Sequence, residues 1–147
     1  MLTIRPPQAS DRQSWDRLYQ GYAQFYQVTQ TPEMRDRVWG WLQDADHECQ
    51  CLMAFAADGR AVGLAHFRAF ARPLSASTGG FLDDLFVDPD GRGAQAGTLL
   101  IAASQAHGAQ HHWSVIRWIT ADNNYRARTA YDKIATRTAW ITYDIKL

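Results

Sequence analysis

Between Phe81 and Ala103 the chain reads FLDDLFVDPDGRGAQAGTLLIAA, and few architectures can use such a stretch. Phe81 to Val87 is an apolar run interrupted only by Asp83 and Asp84, as expected of a mostly buried strand. Asp88-Pro89-Asp90-Gly91 stops it, because proline cannot continue a ladder and glycine tolerates a positive φ. Arg92 to Thr98 then leads into Leu99-Leu100-Ile101-Ala102-Ala103, which reads as a buried helix. Strand, glycine-containing loop and helix form one unit. The first turn of such a helix leaves backbone N–H groups unpaired at the positive end of its dipole, so an anion can dock there. Gly93, Ala94, Ala96 and Gly97 keep side chains out of the way, and Arg92 adds a charge able to pair with phosphate oxygens. The expectation is a pyrophosphate cradle.

The string Val87-x-Pro89-x-x-Arg92-Gly93-x-x-x-Gly97-x-x-Leu100 resembles the acetyl-CoA signature of the GNAT superfamily of N-acetyltransferases, with Gln95 where that family usually has its first glycine. A second string, Asn124-x-x-Ala127-x-x-x-Tyr131-x-Lys133, resembles the family's other signature, except that Ala135-Thr136 replaces the usual Gly-Phe. The resemblance implies acetyl-CoA as co-substrate. It would be held by Leu85, Phe86 and Val87, by the loop from Arg92 through Gly93, Ala94, Gln95, Ala96 and Gly97 to Thr98, and by Asn124, Ala127 and Lys133. It also implies a mixed, mostly antiparallel α/β sheet with helices on both faces and strands four and five splayed apart.

At 147 residues the chain is expected to be a single domain, able to bury roughly 70% of its unfolded surface. Fifteen basic and fifteen acidic residues cancel, which argues against nucleic acid or an anionic membrane as a partner. No apolar run or leader suggests a membrane span or a secretory signal, and a cytoplasmic location is expected. Cys49 and Cys51 are expected on opposite faces of a strand, without a bridge between them. His107 and His111 share a helical face, but no third ligand is spaced to complete a site and no metal is expected.

Leu2-Thr3-Ile4 reads as a short strand ended by Pro6-Pro7. Ser10 and Gln13 suggest a capping box for a helix whose Trp15, Leu18, Tyr19, Tyr22, Phe25 and Tyr26 recur at spacings of three and four. Tyr22, Phe25 and Tyr26, at its end, are candidates for an acceptor pocket that takes an amine against π faces. Thr31-Pro32-Glu33 starts a second helix, to about Leu42. Cys51 to Ala57 and Ala61 to about Phe70 read as a hairpin turning at Asp58-Gly59, and Arg72 to Gly80 as an overhanging loop. Val115 to Thr120 is a further strand, and Tyr125 to Ile134 a helix capped from Asp122-Asn123-Asn124. Trp140 to Ile145 interleaves apolar and polar residues as a last strand, suited to pairing across a homodimer.

Acetyl transfer to an amine requires a deprotonated nucleophile and a proton for the departing thiolate. Asp83 and Asp84 should face opposite sides of their strand unless a bulge intervenes. Leu82-Asp83-Asp84-Leu85-Phe86-Val87 resembles the Leu-Glu-Asp-Phe-Phe-Val strand of the diamine and thialysine acetyltransferases, which implies Asp83 as base through water, or Asp84 in its place with a part in substrate binding. The resemblance implies Tyr131 as general acid. A phenol of pKa about 10 stays protonated beside a thiol of about 8.5. The expected activity is N-acetylation of the primary amine of a small molecule, an amino acid or related amine, by direct attack. The alternatives are a protein or peptide acceptor, or a non-catalytic module that binds acyl-CoA. A P-loop hydrolase would use the same strand, loop and helix, but needs a lysine closing the loop, which Gly97-Thr98 lacks.

Overall fold

A computed structural model describes residues 1–147, the side chains of residues 92–94 excepted. Five strands, β1 (Thr3–Arg5), β2 (Gln50–Phe55), β3 (Ala61–Arg72), β4 (Ser77–Val87) and β5 (Ile116–Arg117), form one sheet in sequence order. All neighbours are antiparallel except β4 and β5. The parallel pair is joined only at Gly80↔Ile116 and Phe81↔Arg117, so the two strands part beyond Phe81.

Helices α1 (Arg12–Phe25) and α2 (Pro32–Gln43) cover one face, where Trp15, Leu18, Met53, Leu64 and Phe86 are buried together. α3 (Ala96–Gln110) covers the other, packing Leu100 and Ile101 on Ala54, Val62, Ala65, Phe67 and Leu82. α4 (Tyr125–Ile134) follows β5. None of these helices is long and apolar enough to cross a membrane.

Local chemistry accounts for the boundaries. Asp11, rather than Ser10, anchors the start of α1, because its carboxylate accepts from the Gln8 N–H (2.7 Å) and pairs with Arg5 (2.7 Å), tying β1 to the helix. Thr31 caps α2 as its sequence predicts, its hydroxyl accepting from Met34 N–H (3.2 Å). Gly59 takes φ +88° in the β2–β3 turn, and the Asp58 carboxylate accepts from Arg60 N–H (3.0 Å).

Two expectations are corrected here. Arg72 to Gly80 is not a loop: Pro73–Ser75 forms a tight turn and β4 begins at Ser77, opposite Arg72. Gly79 and Gly80 read as loop signals because they lack side chains, but they lack them for packing. A Cβ on Gly79 would meet Phe70 at 2.8 Å, and one on Gly80 would meet Trp113 at 2.4 Å. Cys49 and Cys51, two residues apart, lie on the same side of the sheet and not on opposite ones, as the period of two requires. Both are free thiols and both feel the charge of Asp84.

The C-terminal segment also departs from expectation. Residues 136–147 pair with no strand among the described residues.

Candidate active site

The site is set by one extra residue in β4. His66 pairs with Asp84 and Phe67 with Leu82, so Asp83 has no partner across the ladder and forms a bulge. The bulge changes which way the acids point. Asp83 bonds Arg68 Nε (3.1 Å) and Asp84 bonds His66 Nδ1 (2.8 Å). Arg68 and His66 are two apart on β3, on one face, so both carboxylates address the face covered by α1.

The two acids have opposite surroundings. Asp84 is partly buried, and burial pushes its pKa up, but hydrogen bonds from His66, Tyr19 and, more weakly, Tyr22 outweigh that and hold it below the ordinary carboxylate range. Tyr19 donates its hydroxyl at 2.9 Å. The His66 tautomer follows from its other neighbour. The Trp15 indole N–H can only donate and lies 3.0 Å from His66 Nε2, which therefore accepts and leaves Nδ1–H to donate to Asp84. Trp15, His66, Asp84 and Tyr19 thus form one satisfied chain through the core. Asp83 is half-exposed; burial, together with the neighbouring charge of Asp84, raises its pKa on balance although Arg68 lowers it.

α1 supplies the aromatic wall. Tyr22 lies 4.9 Å, ring to ring, from Tyr26 and meets Phe86 edge-on at 6.0 Å. α1 comes this near because residue 21 is glycine, where a Cβ would stand 3.1 Å from the Phe86 ring. Burial pushes the Tyr22 phenol well above its ordinary value, so it is a neutral donor. Phe25 and Tyr26 are exposed at the helix end, Phe25 stacking edge-on against Tyr26 at 5.1 Å.

Tyr131 approaches from α4, its ring edge-on to Trp118 at 5.3 Å. Burial, and to a smaller extent the neighbouring Tyr26, raise its pKa. Asn124 caps α4 by accepting from Ala127 N–H (3.4 Å) and donates to Thr120 (3.4 Å), while Lys133 is exposed in the last turn.

The cradle residues lie at the start of α3. Arg92, Gly93 and Ala94 lie outside the residues whose side chains are described. Gln95 takes the left-handed conformation (φ 60°, ψ 27°) immediately before the helix, Ala96 is buried, and Thr98 is exposed in the first turn. That φ is what a glycine supplies without strain, which explains the family preference at this position. Among the described side chains, a Cβ on Gly97 would meet Val87, at 3.6 Å. Along β4, Phe86 faces α1, while Leu85 and Val87 pack toward α3.

These features fit acetyl-CoA. Beyond Phe81, the edge of β4 toward β5 takes no ladder partner, which leaves backbone donors and acceptors for an extended arm. Small residues at the start of α3 leave room for phosphates at a helix N-terminus.

Several of these residues escape sequence reading. His66 and Arg68 meet the acids only through the β3–β4 register, Trp15, Tyr19 and Cys49 gather round them through packing, and Trp118 meets Tyr131 beyond β5. The alternation of Leu64, His66 and Arg68 on one strand face was the available signal. Among the described residues, no cluster of three or more metal-ligating side chains forms; His107 and His111 instead stack at 4.1 Å beside Trp113.

With both signatures and the splayed sheet in place, the chain belongs to the acetyltransferase (GNAT) family, whose model matches residues 15–135, and it is an acyltransferase that uses acetyl-CoA. It is similar to the D-amino-acid N-acetyltransferase HPA3 of Saccharomyces cerevisiae, 22% identical over 97% of this chain and 89% of that protein. Among solved structures it is similar to the ribosomal-protein-alanine N-acetyltransferase of Brucella melitensis biovar Abortus (TM-score 0.81, 23% identity, 100% of this chain and 99% of that one). It is also similar to the aminoglycoside N-acetyltransferase AAC(6')-Iy in complex with CoA (TM-score 0.84, 20% identity, 99% of this chain and 95% of that one).

Proposed function

We propose that residues 1–147 are one acetyltransferase domain that works in the cytoplasm as a homodimer and moves the acetyl group of acetyl-CoA to the amine of an amino acid. One observation carries this reading: the bulge sets Asp83 beside Arg68, with the next residue, Asp84, beside His66 on the same face. An amino acid presents an ammonium and a carboxylate a few ångströms apart. Asp83 and the phenols of Tyr22 and Tyr26 meet the first, and the Nη donors of Arg68 meet the second. The likeness to a D-amino-acid acetyltransferase supports an acceptor of this kind.

In this reading the residues divide the work. Acetyl-CoA supplies the activated acetyl group. Leu85, Phe86 and Val87 would hold its arm along the open β4 edge, a backbone N–H near Phe86 or Val87 would face the acetyl oxygen, and Gln95 to Thr98 would meet its phosphates. Asp83 takes the proton of the bound ammonium through a water, its raised pKa bringing it nearer neutrality than an ordinary carboxylate. Asp84 stays ionised and anchors the wall by holding His66 and Tyr19. Tyr131 keeps its proton at neutral pH and donates it to the departing sulfur.

Attack is direct, without a covalent enzyme intermediate. Cys49 feels both acids, and burial, with the charges of Asp83 and Asp84, pushes its pKa to about 12. The thiol therefore stays protonated at neutral pH.

Acetyl-CoA turnover, followed as free thiol against amino acids of both hands, polyamines, aminoglycosides and peptides, tests the reading. Turnover with amino acids is expected. Turnover confined to peptides, polyamines or aminoglycosides would overturn the choice of acceptor, and acetyl-CoA binding without turnover on any amine would favour a non-catalytic module.

A further inference from the structure

We propose that Arg17 of α1 is a positioning residue for acetyl-CoA: it holds the entry of the phosphate loop through Asp88, so that the cofactor loop and the acceptor wall are fixed to one helix. The proposal rests on the place given above to the phosphates at the start of α3. The pairing of Arg17 with Asp88 does not.

α1 and β4 meet along a stripe. Residues 84, 86 and 88 follow one another at the strand period of two, and α1 answers each of them. Tyr19 donates to Asp84 (2.9 Å), and glycine at position 21 lets the helix close on the Phe86 ring. Arg17 Nη1 donates to Asp88 Oδ2 at 2.8 Å. Arg17 and Gly21 are four apart and so lie on one side of the helix. The first two contacts belong to the acceptor wall. The third lies one residue past the end of β4, where the chain leaves the sheet for the loop.

Asp88 is a bracket between that helix and the loop backbone. Its Oδ2 takes Arg17, while its Oδ1 accepts from the Asp90 N–H (3.1 Å) and its carbonyl from the Gly91 N–H (2.8 Å). Its own N–H donates to the Val62 carbonyl at 2.8 Å. Gly91 presses on the same residue, since a Cβ there would stand 2.8 Å from Val62 Cβ. The turn Pro89–Ala94 therefore has a fixed root, and the direction in which it delivers Gln95 and the first turn of α3 is set at Asp88. Burial pushes the Asp88 pKa up, but the Asp90 N–H and Arg17 outweigh it and hold it below the ordinary carboxylate range.

The second arm of Arg17 reaches the sheet. Nη2 donates to the Ala61 carbonyl (2.7 Å), at the start of β3, so one planar fork grips the loop root and the neighbouring strand together. Half of the Arg17 side chain is exposed, and ion pairs this open contribute little to folding. Its effect falls instead on where the loop stands. Hydrogen bonds to phosphate weaken steeply when their donors are misaligned, so a loop released at its root binds the cofactor less tightly.

The test compares acetyl-CoA with S-acetylpantetheine, which has the same thioester arm and no phosphate, by NMR titration of the full chain. Arg17→Ala should weaken acetyl-CoA by about five- to tenfold, toward the lower end of what a charge-assisted hydrogen bond contributes, and S-acetylpantetheine by less than about twofold. In an Asp88→Asn background the loss on removing Arg17 should disappear. Equal weakening of both ligands would make Arg17 a general structural residue, and a loss that persists beside Asp88→Asn would mean that its charge acts on the phosphates directly. Unchanged acetyl-CoA affinity would mean that the loop stands without it. Each of these overturns the proposal. Should Arg17→Ala fail to fold, Arg17→Met, which keeps the stem, takes its place. Thr98→Glu checks the underlying reading separately, since it sets a carboxylate in the first turn of α3, where the helix itself favours an acid. It should weaken acetyl-CoA alone; if it does not, the phosphates lie elsewhere and the reading of the loop fails, taking the proposal with it.

Discussion

His66 Nδ1 stands 2.8 Å from Asp84 Oδ2 while its Nε2 accepts from Trp15 at 3.0 Å, so a single ring ties the first helix to an acid of β4. Each bond fixes the other through the tautomer. Replacing Trp15 by Phe leaves a buried acceptor unpaired and should cost about 1–3 kcal/mol on that account, beyond any packing loss. Trp15→Phe and Asp84→Asn should be non-additive in a double-mutant cycle read by urea unfolding; strict additivity would mean that the ring does not couple them.

The same carboxylate sets an acid limit to stability. Its native pKa is lowered, so the stability it contributes is fully present above the unfolded value of about 3.9 and is lost as pH falls through the native value. Urea midpoints should therefore drop steeply below about pH 4 in the parent chain, and less steeply in Asp84→Asn.

Asp83 and Tyr131 should separate binding from turnover. Asp83→Asn and Tyr131→Phe are each expected to lower kcat by about 10²–10⁴-fold, the usual worth of a positioned acid or base. Calorimetric affinity for acetyl-CoA should stay within about twofold. Near-parental kcat in either variant would remove that residue from the mechanism.

Arg68 should act on acceptor choice. Arg68→Ala is expected to raise KM for amino acids by about tenfold or more, the worth of a charge-assisted hydrogen bond, while amines without a carboxylate lose little. An equal loss for both classes would mean that Arg68 only holds Asp83 in place.

Cys49→Ser should retain turnover, since its thiol is neutral at working pH. Abolished activity, or an acetylated enzyme seen by mass spectrometry, would instead require a covalent intermediate.

Gln95→Gly relieves a left-handed residue that carries a side chain and should raise stability by about 1 kcal/mol. The melting temperature checks it.

Much of this architecture is legible before any coordinates. The run from Phe81 to Ala103 reads directly as strand, loop and helix, and Thr31 and Asn124 announce their helices, because those signals are local. What is not local is not legible. The place of Asp83 depends on the register of β4 against β3, and Gly79-Gly80 reads as loop until Phe70 and Trp113 are seen to fill the space over it. His66 and Arg68 gain meaning only from the acids opposite them. Trp140 to Ile145 carries the pattern of a strand, yet pairs with none among the described residues.

The bulge at Asp83 separates what the sheet requires from what the proposed reaction would require. Leu82 and Asp84 already lie on opposite faces, as neighbours in an unbroken strand would, so the ladder on either side needs no residue between them. A chain lacking residue 83 would pair the same partners and bury the same core. Folding is indifferent to that position, and selection is free to place there whatever acid, amide or hydroxyl a new acceptor demands.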